Sequence, residues 1–233
     1  REALLADYQL MCVSREASLL GRKEVLTGKA KFGIFGDGKE MAQVALAKVV
    51  REGDWRSGYY RDQTFMMARG LLSVQQYFAA IYAHADVEAD PTSAGRQMGG
   101  HFATRTLNED GTWKDLMADF NSSADISPTG GQMPRLVGLA QASKVFKAMP
   151  DLAESMSTFT NGGNEIAVGT IGDASTSEGL FWESMNAACV LEVPMLMSVW
   201  DDGYGISVPK KYQTVKESIS SALSGFQREE ATN

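Results

Sequence analysis

One short unit constrains the fold of this chain more than any other stretch. An apolar run, Ile166 to Ile171, enters Gly172-Asp173-Ala174. A helix-length segment follows, and a second apolar run, Pro194 to Trp200, enters Asp201-Asp202-Gly203-Tyr204-Gly205. Twenty-six residues, Ser175 to Trp200, separate Ala174 from Asp201. That order predicts a strand–helix–strand unit with oxygen ligands at the carboxyl ends of two parallel strands. Such a placement suits one hard divalent cation and the phosphates it bridges. An ordinary unit of this kind, in which Asp173 merely caps a turn, fits the spacing equally well.

The flanking sequence extends the same pattern. Residues 1–28 read as a helix, with Leu4, Tyr8, Met11, Arg15 and Leu19 on one stripe and the stem of Arg15 able to cover apolar surface. Gly33, Gly36 and Gly38 break the chain, and Glu40 to Val50 forms a second helix. Asp54 to Arg61 reads as a short strand and turn, and Leu72 to His84 as a third helix that His84 ends. Ala85 to Asn108 and Asn121 to Pro134 are loops, the second leading into a helix from Arg135 to Ala148. Asp151 to Asn164 is polar and expected at the surface, and Val215 to Phe226 starts another helix. Thr176 or Ser177 can cap the helix after Asp173, with Glu178 in its first turn and Phe181, Met185 and Ala188 on its inner face. Helices alternating with short apolar strands predict an α/β fold, a parallel sheet with helices on both faces. With no repeat and no strong boundary, residues 1–233 are expected to form a single domain, truncated at its C-terminus.

Composition narrows the function classes. The formal charge of −7 comes without any run of Lys and Arg, which argues against a nucleic-acid-binding face. No apolar run reaches the roughly 18 residues of a membrane span. Cys12 and Cys189 are far apart and outside any metal-type spacing, so both are expected as reduced core thiols. That usage leans towards the cytoplasm. The chain begins at Arg1 rather than Met, so the lack of a signal peptide carries little weight.

The block Gly172 to Pro209 resembles the thiamine-diphosphate motif in the alpha subunit of the decarboxylating component of 2-oxo acid dehydrogenases, nearest to the branched-chain type. The family pattern is Gly-Asp-Gly or Gly-Glu-Gly, a helix and strand, then Asn-Asn. In its branched-chain variant Ser-Glu-Gly follows the first acid and Gly-Tyr-Ala-Ile-Ser follows the Asn pair. Ser177-Glu178-Gly179 and Gly203-Tyr204-Gly205-Ile206-Ser207 stand in those places. The likeness runs from about Tyr8 to the end, through Tyr60-Arg61, Gly95-Arg96-Gln97-Met98 with His101, and Ser127-Pro128 with Gln132-Met133-Pro134. The literal Gly36-Asp37-Gly38 is a decoy: no apolar strand ends there, and a turn is expected.

The resemblance implies that Asp173 and Asp202 ligate Mg²⁺ by their side chains and Tyr204 by its carbonyl. It implies that Tyr60 and Arg61 hold the diphosphate, and that Gly172, Ala174, Ser175 and Glu178 touch the phosphates or organise their loop. Ser127 and Thr129 would supply backbone contacts to the aminopyrimidine. Arg96, Gln97 and His101 would lie on the substrate side, His101 being the candidate catalytic residue. The implied activity is oxidative decarboxylation of a 2-oxo acid, with the acyl group passing to the lipoyl arm of an acyltransferase component.

A beta subunit, or a fused beta-like half, would supply the Glu that activates the aminopyrimidine. This chain alone is therefore expected to be inactive, with neither nucleic acid nor membrane as a partner. In a eukaryote the implied compartment is the mitochondrial matrix.

Three residues depart from the family pattern. Asp201-Asp202 replaces the Asn pair and adds negative charge near a diphosphate. Trp200 stands where branched-chain relatives place a phosphate-binding Arg, and Thr129 where relatives have an apolar buttress. An acetoin dehydrogenase or other thiamine enzyme, and a scaffold subunit that has lost cofactor binding, remain as alternatives.

Overall fold

A computed structural model describes residues 1–97, 99–216 and 218–227; Met98 lies outside them. The helices are α1 (Glu2–Leu26), α2 (Glu40–Val49), α3 (Gln63–Ala68), α4 (Val74–Ile81), α5 (Met133–Ala148), α6 (Pro150–Ser155), α7 (Gly179–Leu191) and α8 (Ile219–Leu223). The strands are β1 (Trp55–Ser57), β2 (Asn121–Ser122), β3 (Ala167–Gly172), β4 (Met195–Trp200), β5 (Tyr204–Gly205) and β6 (Val208–Pro209). They fall into two compact units, one of residues 1–54 and 58–127, the other of residues 55–57 and 128 onward. Among the described residues no helix is long and apolar enough to cross a membrane.

The second unit holds the predicted α/β layer. β1, β3 and β4 run parallel in that order, with Trp55 opposite Ala167, and Ala167 to Gly172 opposite Met195 to Trp200. β3 is buried through Ile171, as expected of a parallel strand covered on both faces. Met133, Leu136 and Ala140 of α5 pack with Ala167 and Ile171 of β3, Phe181 of α7 and Ile219 of α8. The core therefore clamps the strand whose end carries Asp173. Gln132, at the start of α5, donates its side-chain amide to Thr170 O at 3.0 Å, and its own carbonyl accepts from Ser57 Oγ at 3.1 Å.

The first unit is helical and holds a buried polar seam. The predicted α1 stripe is not its buried face: Leu4 is 72% exposed and Tyr8 64%. Ser14, Ala17, Ser18, Gly21 and Glu24 are buried instead. Hydrogen bonding decides this, since Ser14 Oγ meets Thr64 Oγ1 at 2.6 Å and the Gln63 amide donates to Ser18 Oγ. α3, which supplies Gln63 and Thr64, was not evident from the sequence pattern.

Arg15, at the edge of that face, forms a two-pronged pair with buried Glu40, at 2.6 Å and 2.8 Å. Burial pushes the Glu40 carboxyl up, but Arg15 and the N–H of Gly38 outweigh it and hold the group below the ordinary range. A depressed carboxyl contributes stability above its unfolded pKa and loses it as pH falls through the folded one. Arg15→Ala is expected to cost about 1–2 kcal/mol at pH 7, between the values for exposed and buried pairs because Arg15 is half exposed. The difference from wild type should shrink below about pH 4, read from urea unfolding at both pH values.

Other expectations are corrected. α4 starts at Val74 behind a Ser73–Gln76 capping box and ends at Ile81, so His84 lies beyond it, its Nδ1 accepting from Asp86 N–H. Asp151 to Asn164 is not simply surface: α6 begins it, and Thr160 is buried against Glu165 at 2.5 Å. Cys12 is exposed rather than a core thiol, and both cysteines are free. Between Val215 and Phe226 the helix covers only Ile219–Leu223, followed by a 3₁₀ turn; Glu217 lies outside the described residues. Gly36-Asp37-Gly38 is a turn, as expected, with Gly38 at φ 98°.

Candidate functional site

In the second unit, backbone pairing sets the site. Gly172 pairs with Trp200, and Asp173 N–H donates to Trp200 O at 3.3 Å, so Asp173 and Asp201 leave adjacent strands at one level. Asp173 is 3% exposed, and its Oδ2 is buried without a hydrogen-bond partner. A buried carboxylate oxygen in that state is rare and costly. Burial pushes the Asp173 carboxyl above its ordinary range, and Asp201 and then Asp202 push it further.

The other two carboxylates belong to the loop after β4. Asp201 accepts from Gly203 N–H at 3.0 Å and from Lys210 Nζ at 2.6 Å, and Asp202 accepts from Tyr204 N–H at 3.2 Å. Among the described residues no three His, Cys, Asp or Glu side chains are grouped to hold a metal by themselves. Two carboxylates and a main-chain carbonyl would thus leave several positions of an octahedron to oxygens of a ligand or water, as hard cations at phosphate sites commonly have. The orphaned Asp173 oxygen and this all-oxygen donor set fit such a cation.

The loop after Asp173 differs from the expected cap. Ala174–Ser177 forms a 3₁₀ turn, and α7 begins only at Gly179 with Glu178 as its N-cap. Thr176 Oγ1 turns back to Asp173 O at 2.6 Å and Ser177 Oγ donates to Gln213 O at 3.2 Å, so neither caps α7. Gly172, Ala174 and Ser175 are half-buried around this turn, while Glu178 and Thr129 are exposed. Phe181 and Ala188 are buried on the inner face and Met185 packs against the core.

Ala174 and Gly205 are sterically matched. A Cβ on residue 205 would lie 2.7 Å from Ala174 Cβ and 2.5 Å from Gln213 Nε2. The motif this chain resembles has glycine where Ala174 stands and alanine where Gly205 stands, so the methyl has changed sides. Gly205→Ala should destabilise the protein by about 1–3 kcal/mol. Adding Ala174→Gly should recover part of the loss, a non-additivity visible in thermal melts of the two single variants and the double.

A second group gathers in the first unit. The Arg61 guanidinium lies 5.1 Å from the centre of the Tyr60 ring, and that ring lies 6.1 Å from the His101 ring. His101 Nε2 meets Ser127 Oγ at 2.9 Å. Gln43 locks the Arg61 backbone, donating to its carbonyl at 2.8 Å and accepting from Phe65 N–H at 2.9 Å. Asp125 fixes the His101 loop through its side chain and N–H, both bonded to the backbone of Phe102.

Arg96 and Gln97 are exposed and line a cleft of about 340 Å³ with Thr104 and Arg105; His101 is not part of its lining. Buried Asp90 shapes that loop by accepting from Ser93 and Gly95 N–H. Tyr60, Arg61, His101 and Ser127 thus lie in one unit, and Thr129, Gly172, Asp173, Ala174, Ser175, Glu178, Asp202 and Tyr204 in the other. Sequence reasoning missed Gln43, Arg105 and Lys210. Only Lys210 had a local signal, as a cation shortly after an acidic pair.

Acidic side chains stand beyond the carboxyl ends of parallel strands, the edge at which open α/β folds commonly bind ligands. The chain belongs to the dehydrogenase E1 component family, whose sequence model matches residues 8–227. It is similar to the 2-oxoisovalerate dehydrogenase subunit alpha of Bacillus subtilis, 32% identical over 224 residues, covering 94% of this chain and 57% of the relative. The mitochondrial 2-oxoisovalerate dehydrogenase subunit alpha of Caenorhabditis elegans is 29% identical over 80% of this chain and 36% of its own length. The pyruvate dehydrogenase E1 component subunit alpha of Acholeplasma laidlawii is 24% identical over 94% of this chain and 52% of its own length. The chain thus spans from about a third to somewhat over half of these relatives.

Proposed function

We propose that this chain is the alpha-type part of the decarboxylating component of a 2-oxo acid dehydrogenase, of the branched-chain type, using thiamine diphosphate and Mg²⁺. The observation that carries the reading is the buried Asp173 Oδ2 without a hydrogen-bond partner, whose carboxyl feels the paired acids of the loop after β4. Likeness to the alpha subunits of 2-oxoisovalerate dehydrogenases supports the substrate class.

Asp173 and Asp202 would hold Mg²⁺ by their carboxylates and Tyr204 by its carbonyl. Gly172, Ala174, Ser175 and Glu178 would frame the diphosphate, and Tyr60 and Arg61 would bind it as a stacked phenol–guanidinium pair. Ser127 and Thr129 would present backbone to the aminopyrimidine. Thiamine diphosphate, when bound, supplies a nucleophilic carbon and an electron sink for decarboxylation. His101 and Ser127 hold one proton between Nε2 and Oγ and could pass it to a nearby oxygen. Arg96 would attract the substrate carboxylate, and Gln97 would lie beside it.

A beta subunit or fused beta-like half and a lipoyl acyltransferase are the proposed partners. The proposed compartment is the cytoplasm, or the mitochondrial matrix in a eukaryote.

The test is an assay of the complete protein with its beta part, given thiamine diphosphate and Mg²⁺. Release of carbon dioxide from branched-chain 2-oxo acids, faster than from pyruvate, is expected. Cleavage of acetoin in their place would move the protein to another thiamine enzyme class. Absence of cofactor binding would leave a scaffold subunit.

A further inference from the structure

Three carboxylates leave the ends of β3 and β4, and Asp201, the one nearest Asp173 in the backbone pairing, is engaged by a lysine. Lys210 Nζ sits 2.6 Å from Asp201 Oδ2, with 19% of the lysine and 37% of the aspartate side-chain surface exposed, so water screens the pair in part. The lysine is held there by the fold. Its own N–H donates to Gly203 O at 2.8 Å, closing the loop that carries Tyr204 and starts directly after Asp202. The β5–β6 hairpin pairs Tyr204 with Pro209, immediately before the lysine, and Gln213 braces it by donating to Val208 O at 2.8 Å.

We propose that Lys210 is a positioning residue that neutralises Asp201, so that the acidic edge accepts an anionic diphosphate together with its cation. This rests on the function proposed above. With the lysine removed, Asp201 becomes a further ligand for the metal and an added repulsion for the diphosphate, and the two effects have opposite signs.

That opposition supplies the test. Lys210→Met, Asp201→Asn and the double variant are made in the complete protein with its beta part. Thiamine diphosphate binding in Mg²⁺ is measured by calorimetry, and binding of Mn²⁺ alone by electron paramagnetic resonance. Lys210→Met should weaken thiamine diphosphate about tenfold, the effect of roughly one partly screened charge. It should tighten Mn²⁺ binding, because Asp201 is released as a further ligand. The double variant, having lost both charges, should return to within about threefold of wild type.

A double variant as weak as Lys210→Met would overturn the proposal, as would Lys210→Met weakening both ligands alike. If wild type takes no thiamine diphosphate, the proposed function fails on that result alone. The Mn²⁺ arm then decides the role of Lys210 separately: tighter Mn²⁺ in Lys210→Met upholds neutralisation of Asp201, and unchanged or weaker Mn²⁺ refutes it.

Discussion

Asp173→Asn is expected to make the cation-free protein more stable while destroying its affinity for thiamine diphosphate. The wild-type carboxylate is 3% exposed, has an oxygen without a hydrogen-bond partner and lies near two further acids. Asparagine keeps the shape and removes the charge. Relief of that uncompensated burial should add about 1–2 kcal/mol in the absence of divalent cation. The same change removes the proposed metal ligand, and Mg²⁺-dependent affinity should fall at least about 100-fold, the upper range seen when only a ligand's supporting partner is lost. Melting curves with and without Mg²⁺ and thiamine diphosphate read both effects at once. A variant that melts earlier than wild type without cation would show that Asp173 serves the fold rather than a ligand.

Gly100→Ala should damage the first unit severely. Gly100 has φ 89°, where a side chain is strained by about 1–2 kcal/mol. A Cβ there would also lie 2.5 Å from Tyr60 O, and backbone cannot swing aside as a side-chain tip can. Together these predict a loss of about 2–4 kcal/mol. The displaced carbonyl belongs to Tyr60, on which Arg61 stacks, and His101 follows residue 100 directly. Diphosphate affinity should therefore fall in whatever fraction stays folded. Equilibrium urea unfolding measures the stability loss; a cost under about 0.5 kcal/mol would contradict it.

The strand–helix–strand unit was legible because both halves of the signal are local. An apolar run ending in Gly-Asp, and another ending in Asp-Asp, fix strand ends without knowledge of packing. The observed register, Gly172 opposite Trp200, follows from that arrangement. The buried face of α1 was not legible in the same way. Hydrophobic periodicity selects Leu4 and Tyr8, but the face that packs is made of Ser14, Ala17, Ser18 and Gly21, whose small size and hydroxyls serve a polar seam.

Capping logic failed at Thr176 because a 3₁₀ turn intervenes before α7, and the hydroxyl turns back to Asp173 O instead. The Asp201–Lys210 pair depends on a hairpin that returns the chain nine residues later, a geometry no pairwise spacing rule encodes. The exchange of a methyl between residues 174 and 205 needs the distance between two loops as well as their sequences.

The most direct test of the proposed cofactor site is calorimetric titration of thiamine diphosphate into the complete protein with its beta part, with and without Mg²⁺, alongside Asp173→Ala. Binding that needs Mg²⁺ and disappears in Asp173→Ala is the expected result. Binding that is indifferent to both the metal and the substitution, or no binding at all, would contradict the site at the ends of β3 and β4.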